Sequence, residues 1–127
     1  MALSDPIGEF SYTSRGVTVS DPSSTGGGDL QVDYEGTATG YGFVASTVTF
    51  TVKESGAKSG TISANYVAWL ENGESMSAVG TGVFSESGIN TWRVRSFVIV
   101  SDGKVILSDG EVSLAERTFK GNMYEWE

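Results

Sequence analysis

The chain has no cysteine and no histidine among its 127 residues. Without cysteine, no disulfide staples the fold and no thiolate serves as nucleophile or metal ligand. Without histidine, the commonest general base and the commonest metal ligand are gone, and with them any Ser-His or Cys-His pair. Zinc, haem and blue-copper sites lose their usual ligands, which leaves a carboxylate-only calcium or magnesium site as the remaining metal chemistry. No metal and no cofactor is expected. Basic residues are also scarce: 8 Lys and Arg stand against 16 Asp and Glu, for a net charge of -8. Such a surface repels phosphate backbones and anionic membranes, so neither nucleic acid nor membrane is an expected partner. Long apolar runs are missing too, and Met1-Ala-Leu-Ser-Asp-Pro-Ile has neither a basic nor an apolar leader segment. The chain therefore reads as a soluble, cytoplasmic protein.

What is present is alternation. Runs such as Phe10-Ser-Tyr-Thr, Leu30-Gln-Val-Asp-Tyr34, Val48-Thr-Phe-Thr-Val52 and Trp92-Arg-Val-Arg put aromatic and β-branched residues at every second position. That period sends successive side chains to opposite faces of a sheet. Strands are expected over Glu9 to Val19 (with a bulge near Gly16, where the phase slips), Leu30 to Gly42, Phe43 to Glu54, Thr61 to Leu70, Met76 to Glu86 and Thr91 to Val100. Shorter ones follow over Lys104 to Leu107, Glu111 to Phe119 and Met123 to Trp126, separated by turns at Asp109-Gly110 and Gly121-Asn122. Asn72-Gly73 predicts a type I′ hairpin with positive φ at both positions. The longest connection, Asp21 to Asp29, contains Pro22 and Gly26-Gly-Gly28 and reads either as a plain connector or as a lid over a barrel mouth. The chain is thus an all-β, antiparallel up-and-down meander of eight or nine strands in one domain, closed into a small β-barrel because closure removes the sheet edges.

The two faces differ. Tyr34, Phe50, Tyr66, Met76, Phe84 and Trp92 all sit at even positions and read as the barrel interior. The odd face is polar early in the chain and turns apolar later, at Val67, Trp69, Val79, Val83, Phe97 and Ile99. An apolar outer face invites a second subunit, so a homo-oligomer is expected unless the faces are reversed or the C-terminal segment covers the patch. The small residues Gly36, Ala38, Gly40, Gly80 and Gly82 on the even face allow a bend or leave room for something to approach.

Five groups of residues could carry chemistry. Ser101-Asp-Gly103 and Ser108-Asp-Gly110 stop at one carboxylate each, too few for a calcium loop, and read as hairpin turns. The glycines between Gly36 and Gly42 lack the spacing and following helix of a dinucleotide site. Arg93 and Arg95 face away from Trp92 and read as partners of acidic residues across strands. Glu116 follows Val112 and Leu114 in phase; if the phase holds, it is a carboxylate in an apolar interior with a raised pKa, and if the phase slips it is solvated. Tyr34 and Tyr66 place phenols inside, where each needs a hydrogen-bond partner from a neighbour or from a ligand.

The stretch Val79-Gly-Thr-Gly-Val-Phe-Ser-Glu-Ser-Gly88 resembles the allene oxide cyclase and dirigent type of barrel, which favours a Gly-x-Gly-x-Phe strand followed by a glycine turn. The resemblance implies an eight-stranded, usually oligomeric barrel with an apolar cavity. Such barrels often bind a reactive lipid-like or polyketide-like molecule and steer its cyclisation without metal or cofactor. The expected function is then a cofactor-free cyclase or isomerase for an apolar small molecule. Tyr34, Tyr66 and Glu116 are its candidate catalytic groups; Phe50, Met76, Phe84 and Trp92 shape the cavity. The alternatives are a non-catalytic carrier of a hydrophobic ligand and a packed barrel that acts only through its outer surface.

Overall fold

The computed structural model describes residues 5–21 and 26–126. Eight antiparallel strands follow one another: β1 (Gly8–Val19), β2 (Gly26–Ala38), β3 (Gly42–Glu54), β4 (Ser59–Trp69), β5 (Ser75–Gly88), β6 (Thr91–Val100), β7 (Val105–Ser113) and β8 (Thr118–Glu125). Each pairs with the next, and β8 pairs back with β1 from Gly8↔Met123 to Thr13↔Thr118, so the sheet is a closed barrel. There is no helix among the described residues, and hence none long and apolar enough to cross a membrane.

Stagger sets the width. A walk from Asp29 through its cross-strand partners Thr51, Thr61, Val83, Arg95, Asp109, Asn122 and Glu9 returns to β2 at Thr39, ten residues further along. An eight-stranded barrel of this kind has steeply tilted strands and an interior just wide enough to be filled by side chains or to hold one small ligand.

The expected inner face is the observed one. Tyr34, Val44, Val48, Ile62, Phe84 and Val94 are buried at even positions, joined by Phe119 and Met123 from β8, where the inward phase is odd. The bulge lies where the phase slip put it, between Ser14 and Gly16. Beyond it Val17 and Val19 take over the inward phase of β1. A second bulge, between Glu86 and Gly88, closes the stretch Val79–Gly88 at the end of β5.

Three expectations need correction. Asp109-Gly110 is not a turn: β7 runs through it, and Gly110 pairs with Gly121 in mid-sheet. Gly121-Asn122 likewise lies within β8, so the strands number eight. The actual β7–β8 turn is Leu114 to Arg117, which takes Glu116 out of the interior phase. Asn72-Gly73 is not a type I′ pair, because only Gly73 has positive φ. The Gly73 N–H donates to the Leu70 carbonyl and the Leu70 N–H to the Glu74 carbonyl, the pattern of a three-residue loop with a left-handed third residue. The β6–β7 turn repeats it, with Gly103 bonded to Val100 and Val100 to Lys104. In both turns the preceding Asn72 or Asp102 oxygen accepts the N–H two residues on. Of the segment read as connector or lid, Gly26 to Asp29 belongs to β2 and residues 22–25 lie outside the described residues.

Gly110 stays small for a packing reason. A Cβ there would stand 2.7 Å from Phe10 Cζ and 3.0 Å from Phe119 Cε1. Gly60 seats the Phe84 ring in the same way, with Cε1 and Cζ both 2.8 Å from the missing Cβ. Phe119 itself is 1% exposed and touches Phe10 edge-on at 5.0 Å, Tyr34 at 5.5 Å and Tyr12 at 6.0 Å. Phe119→Ala removes the centre of that cluster and should cost about 3–5 kcal/mol. Gly110→Ala should cost about 1–3 kcal/mol by overpacking. Urea unfolding checks both; a Gly110→Ala midpoint equal to wild type would contradict the ring-seat account.

Candidate functional site

The waist formed around Phe119, Val48 and Val94 divides the barrel interior into two unequal spaces. At the end bearing the β2–β3, β4–β5 and β6–β7 turns lies a small cavity of about 60 Å³, bordered by Tyr12, Tyr66, Met76 and Ser108 among others. That is room for a few waters. At the opposite end, where β7–β8 and β3–β4 turn, lies a cavity of about 530 Å³, within the range that takes one ligand.

The large cavity is apolar in depth. Val32, Tyr34, Phe50, Phe84 and Val112 come from β2, β3, β5 and β7, and Trp92 enters from the start of β6. Val17 and Val19 reach it because the β1 bulge reverses their facing. Leu30, Val52 and Leu114 complete the apolar wall, and the backbone of Gly26 to Gly28 borders it. Phe50 and Phe84 pack edge to face at 5.4 Å, which stiffens one side. Polar groups are confined to Ser14, Ser20, Asp29, Ser113, Arg117 and the Tyr34 hydroxyl. Among the described residues the Tyr34 hydroxyl has no hydrogen-bond partner. Burial pushes its pKa up to about 12, so at neutral pH it is a protonated donor.

The expected site residues therefore divide. Tyr34, Phe50, Phe84 and Trp92 meet in the large cavity. Tyr66 and Met76 line the small one instead, beyond the waist. Tyr66 belongs to a buried hydroxyl chain: it bonds Ser96, whose Oγ lies 3.1 Å from the Ser108 Oγ. Burial pushes Tyr66 up to about 12, against the smaller opposing effect of the Ser96 bond, and also raises Tyr12, with a further contribution from Tyr66. Ser46 lies between Tyr34 and Tyr66 in register, 8% exposed, with no protein partner for its Oγ. Glu116 is exposed in the β7–β8 turn, its backbone N–H donating to Ser113 Oγ, and it does not enter the interior. The seven residues read as one site are thus four at the large cavity, two at the small one and Glu116 outside both.

The remaining motifs resolve as structure. Arg93 holds Asp109 across β6 and β7 with two bonds, Nε to Oδ1 at 3.0 Å and Nη2 to Oδ2 at 2.6 Å. The Arg93 bond holds the Asp109 carboxyl below the usual carboxylate range. Ser108 and Gly110 face inward on either side of that outward Asp109. No group of three or more Asp and Glu residues stands close enough to share a metal ion among the described residues. Val17 and Val19 were within reach of sequence reasoning, because the slip at Gly16 already reversed their facing. Arg117 was not, since its turn was placed elsewhere. Comparison with protein-family models, curated proteins and solved structures finds no match, so the site is read from its geometry.

The phenols make the barrel alkali-sensitive. Tyr34 and Tyr66 bind their protons more tightly folded than unfolded, where a phenol titrates near pH 10. Their contribution to stability is whole below about pH 10 and is lost as pH rises towards about 12. Absorbance of phenolate during an alkaline titration should show these groups ionising with unfolding. Tyr34→Phe should flatten the fall of stability across that window; an unchanged slope would contradict the burial of its phenol.

Proposed function

We propose that this barrel binds an apolar small molecule in the large cavity, between the Tyr34 floor and the mouth at the β7–β8 turn. One observation carries the reading: a cavity of about 530 Å³ with apolar walls and an unpartnered phenol. Apolar walls left to water are costly, and a ligand that covers them gains roughly 25 cal/mol for each Å² removed from water. The phenol supplies direction, since a ligand oxygen placed over it takes the hydrogen bond that no side chain provides.

The cyclase or isomerase reading remains a proposal of narrower form. Tyr34 is the one candidate catalytic group that faces the large cavity. A protonated phenol donates a hydrogen bond and polarises a carbonyl or epoxide oxygen. It does not remove a proton near neutrality, and the one carboxylate that borders the cavity among the described residues, Asp29, is engaged by Thr51. Catalysis here would rest on holding a substrate that is already reactive in one folded conformer. The likeness of Val79–Gly88 to the allene oxide cyclase and dirigent barrels agrees with that mode. In an enzyme, Tyr34→Phe would lower kcat by far more than it weakens binding; in a carrier, only affinity would change.

The apolar outer face supports a second proposal, self-association. Val79 and Ile99 are directly paired on β5 and β6 and more than half exposed. Beside them Phe97 stacks edge-on with Trp126 at 5.0 Å, and Phe43 leans on Trp69 at 5.7 Å. This is a contiguous surface of the kind that a symmetric dimer buries. Light scattering should give a mass above one chain for wild type, and a single-chain mass for Val79→Glu with Ile99→Glu. A monomeric wild type would remove the oligomer from the account.

Trp92 gives the cavity its own probe, because Trp69 and Trp126 lie on the outside. In a Trp69→Phe, Trp126→Phe background, the neutral dye N-phenyl-1-naphthylamine should quench Trp92 with saturation at one dye per chain. Absence of saturable quenching would overturn the ligand-binding reading.

A further inference from the structure

The large cavity is apolar in depth but not neutral at its mouth. Two charged residues border it, Asp29 and Arg117. Asp29 is engaged on the outside of the barrel, where its Oδ1 accepts from Thr51 Oγ1 at 2.8 Å. Arg117 has no ion-pair partner among the described residues. Arg15, on β1 near this end, is by contrast paired with Glu35.

Arg117 is also held in an unusual backbone state. Its φ is +57°, and among the described residues the only other non-glycine residue in the left-handed region is Asn90, a residue type that tolerates it. The constraint has a visible source: the Arg117 carbonyl accepts the Ser14 N–H at 2.9 Å, where β1 bulges away from its neighbour. The bond continues the β1–β8 ladder one rung beyond Thr13↔Thr118 and so fixes the start of the turn to the barrel wall at the rim. A non-glycine residue persists in this region where the surrounding structure over-determines its backbone.

We propose that the ligand carries a single carboxylate, seated on the Arg117 guanidinium at the mouth while its apolar body lies along the cavity towards Tyr34. This rests on the ligand-binding reading above and names the ligand's chemical class. A guanidinium presents paired N–H donors that match a carboxylate's two oxygens. The mouth location lets the charge stay partly solvated, which avoids the cost of burying an ion. Net charge argues the other way: at -8 the protein as a whole repels an anion. A preference for a carboxylate must therefore arise locally, and Arg117 is the group placed to supply it.

The test compares dodecanoate with 1-dodecanol, which share a chain and differ in the charged group, using Trp92 quenching in the background above. Wild type should bind dodecanoate about tenfold more tightly, the step expected of one charge-assisted contact. Arg117→Gln should bring the two ligands within about twofold by weakening the acid alone, and Arg117→Lys should recover most of the preference. Rising salt should weaken the acid and leave the alcohol unchanged. Equal affinity of acid and alcohol in wild type overturns the inference, as does a preference that survives Arg117→Gln. The wild-type comparison and its salt dependence decide the matter even if the Gln variant folds poorly. If the neutral naphthylamine dye binds and dodecanoate is not preferred, the carboxylate inference alone fails. If the dye does not bind either, the ligand-binding reading fails with it.

Discussion

The hydrogen-bonded return of β8 to β1 is the constraint on which everything else depends. It converts a meander with two exposed edges into a closed surface with none. Closure at a stagger of ten residues also fixes the width of the interior, and that width is small for the aromatic side chains the sequence sends inward. Glycines resolve the conflict. Gly60 lies under Phe84, and Gly110 lies under Phe10 and Phe119, so large rings are accommodated by removing side chains from the neighbouring strand. The result is a packed waist instead of a continuous tunnel.

The interior is polar only in places, and each place has a distinct character. On the small-cavity side, Tyr66, Ser96 and Ser108 satisfy one another, which is the usual condition for burying hydroxyls. On the large-cavity side, Tyr34 faces space. The same residue type is therefore structural in one half and available in the other: Tyr66 is bonded to Ser96, whereas Ser14 and Ser46, the cross-strand neighbours of Tyr34, do not take up its hydroxyl among the described residues. Charge is kept to the rim and the exterior. There Arg93 and Asp109 pair across strands, while Arg117 borders the cavity without an ion-pair partner among the described residues.

Much of the fold was legible because a two-residue period leaves few options for which face is buried. The even phase of the five strands β2 to β6 correctly named the interior, and the slip at Gly16 correctly located a bulge. Asp109-Gly110 shows the limit of that reasoning. The dipeptide has the composition of a turn, yet here the aspartate is an outward ion-pair partner and the glycine is a ring seat. Composition reports what a residue tolerates, whereas the neighbouring strand decides which tolerance is used. Misplacing that turn left Glu116 open to an inward reading and hid Arg117, so an error in a turn became an error in the site.

From the sequence alone came the strand class, the inward phase and the absence of histidine and cysteine chemistry, since these depend on local periodicity and on residue identity. The grouping of inward residues into two spaces was decided only by tertiary structure. Tyr34 and Tyr66 share a face and a chemistry, and no local pattern separates them. They are parted because closure staggers the strands, which brings Phe119 from the far end of the chain between them.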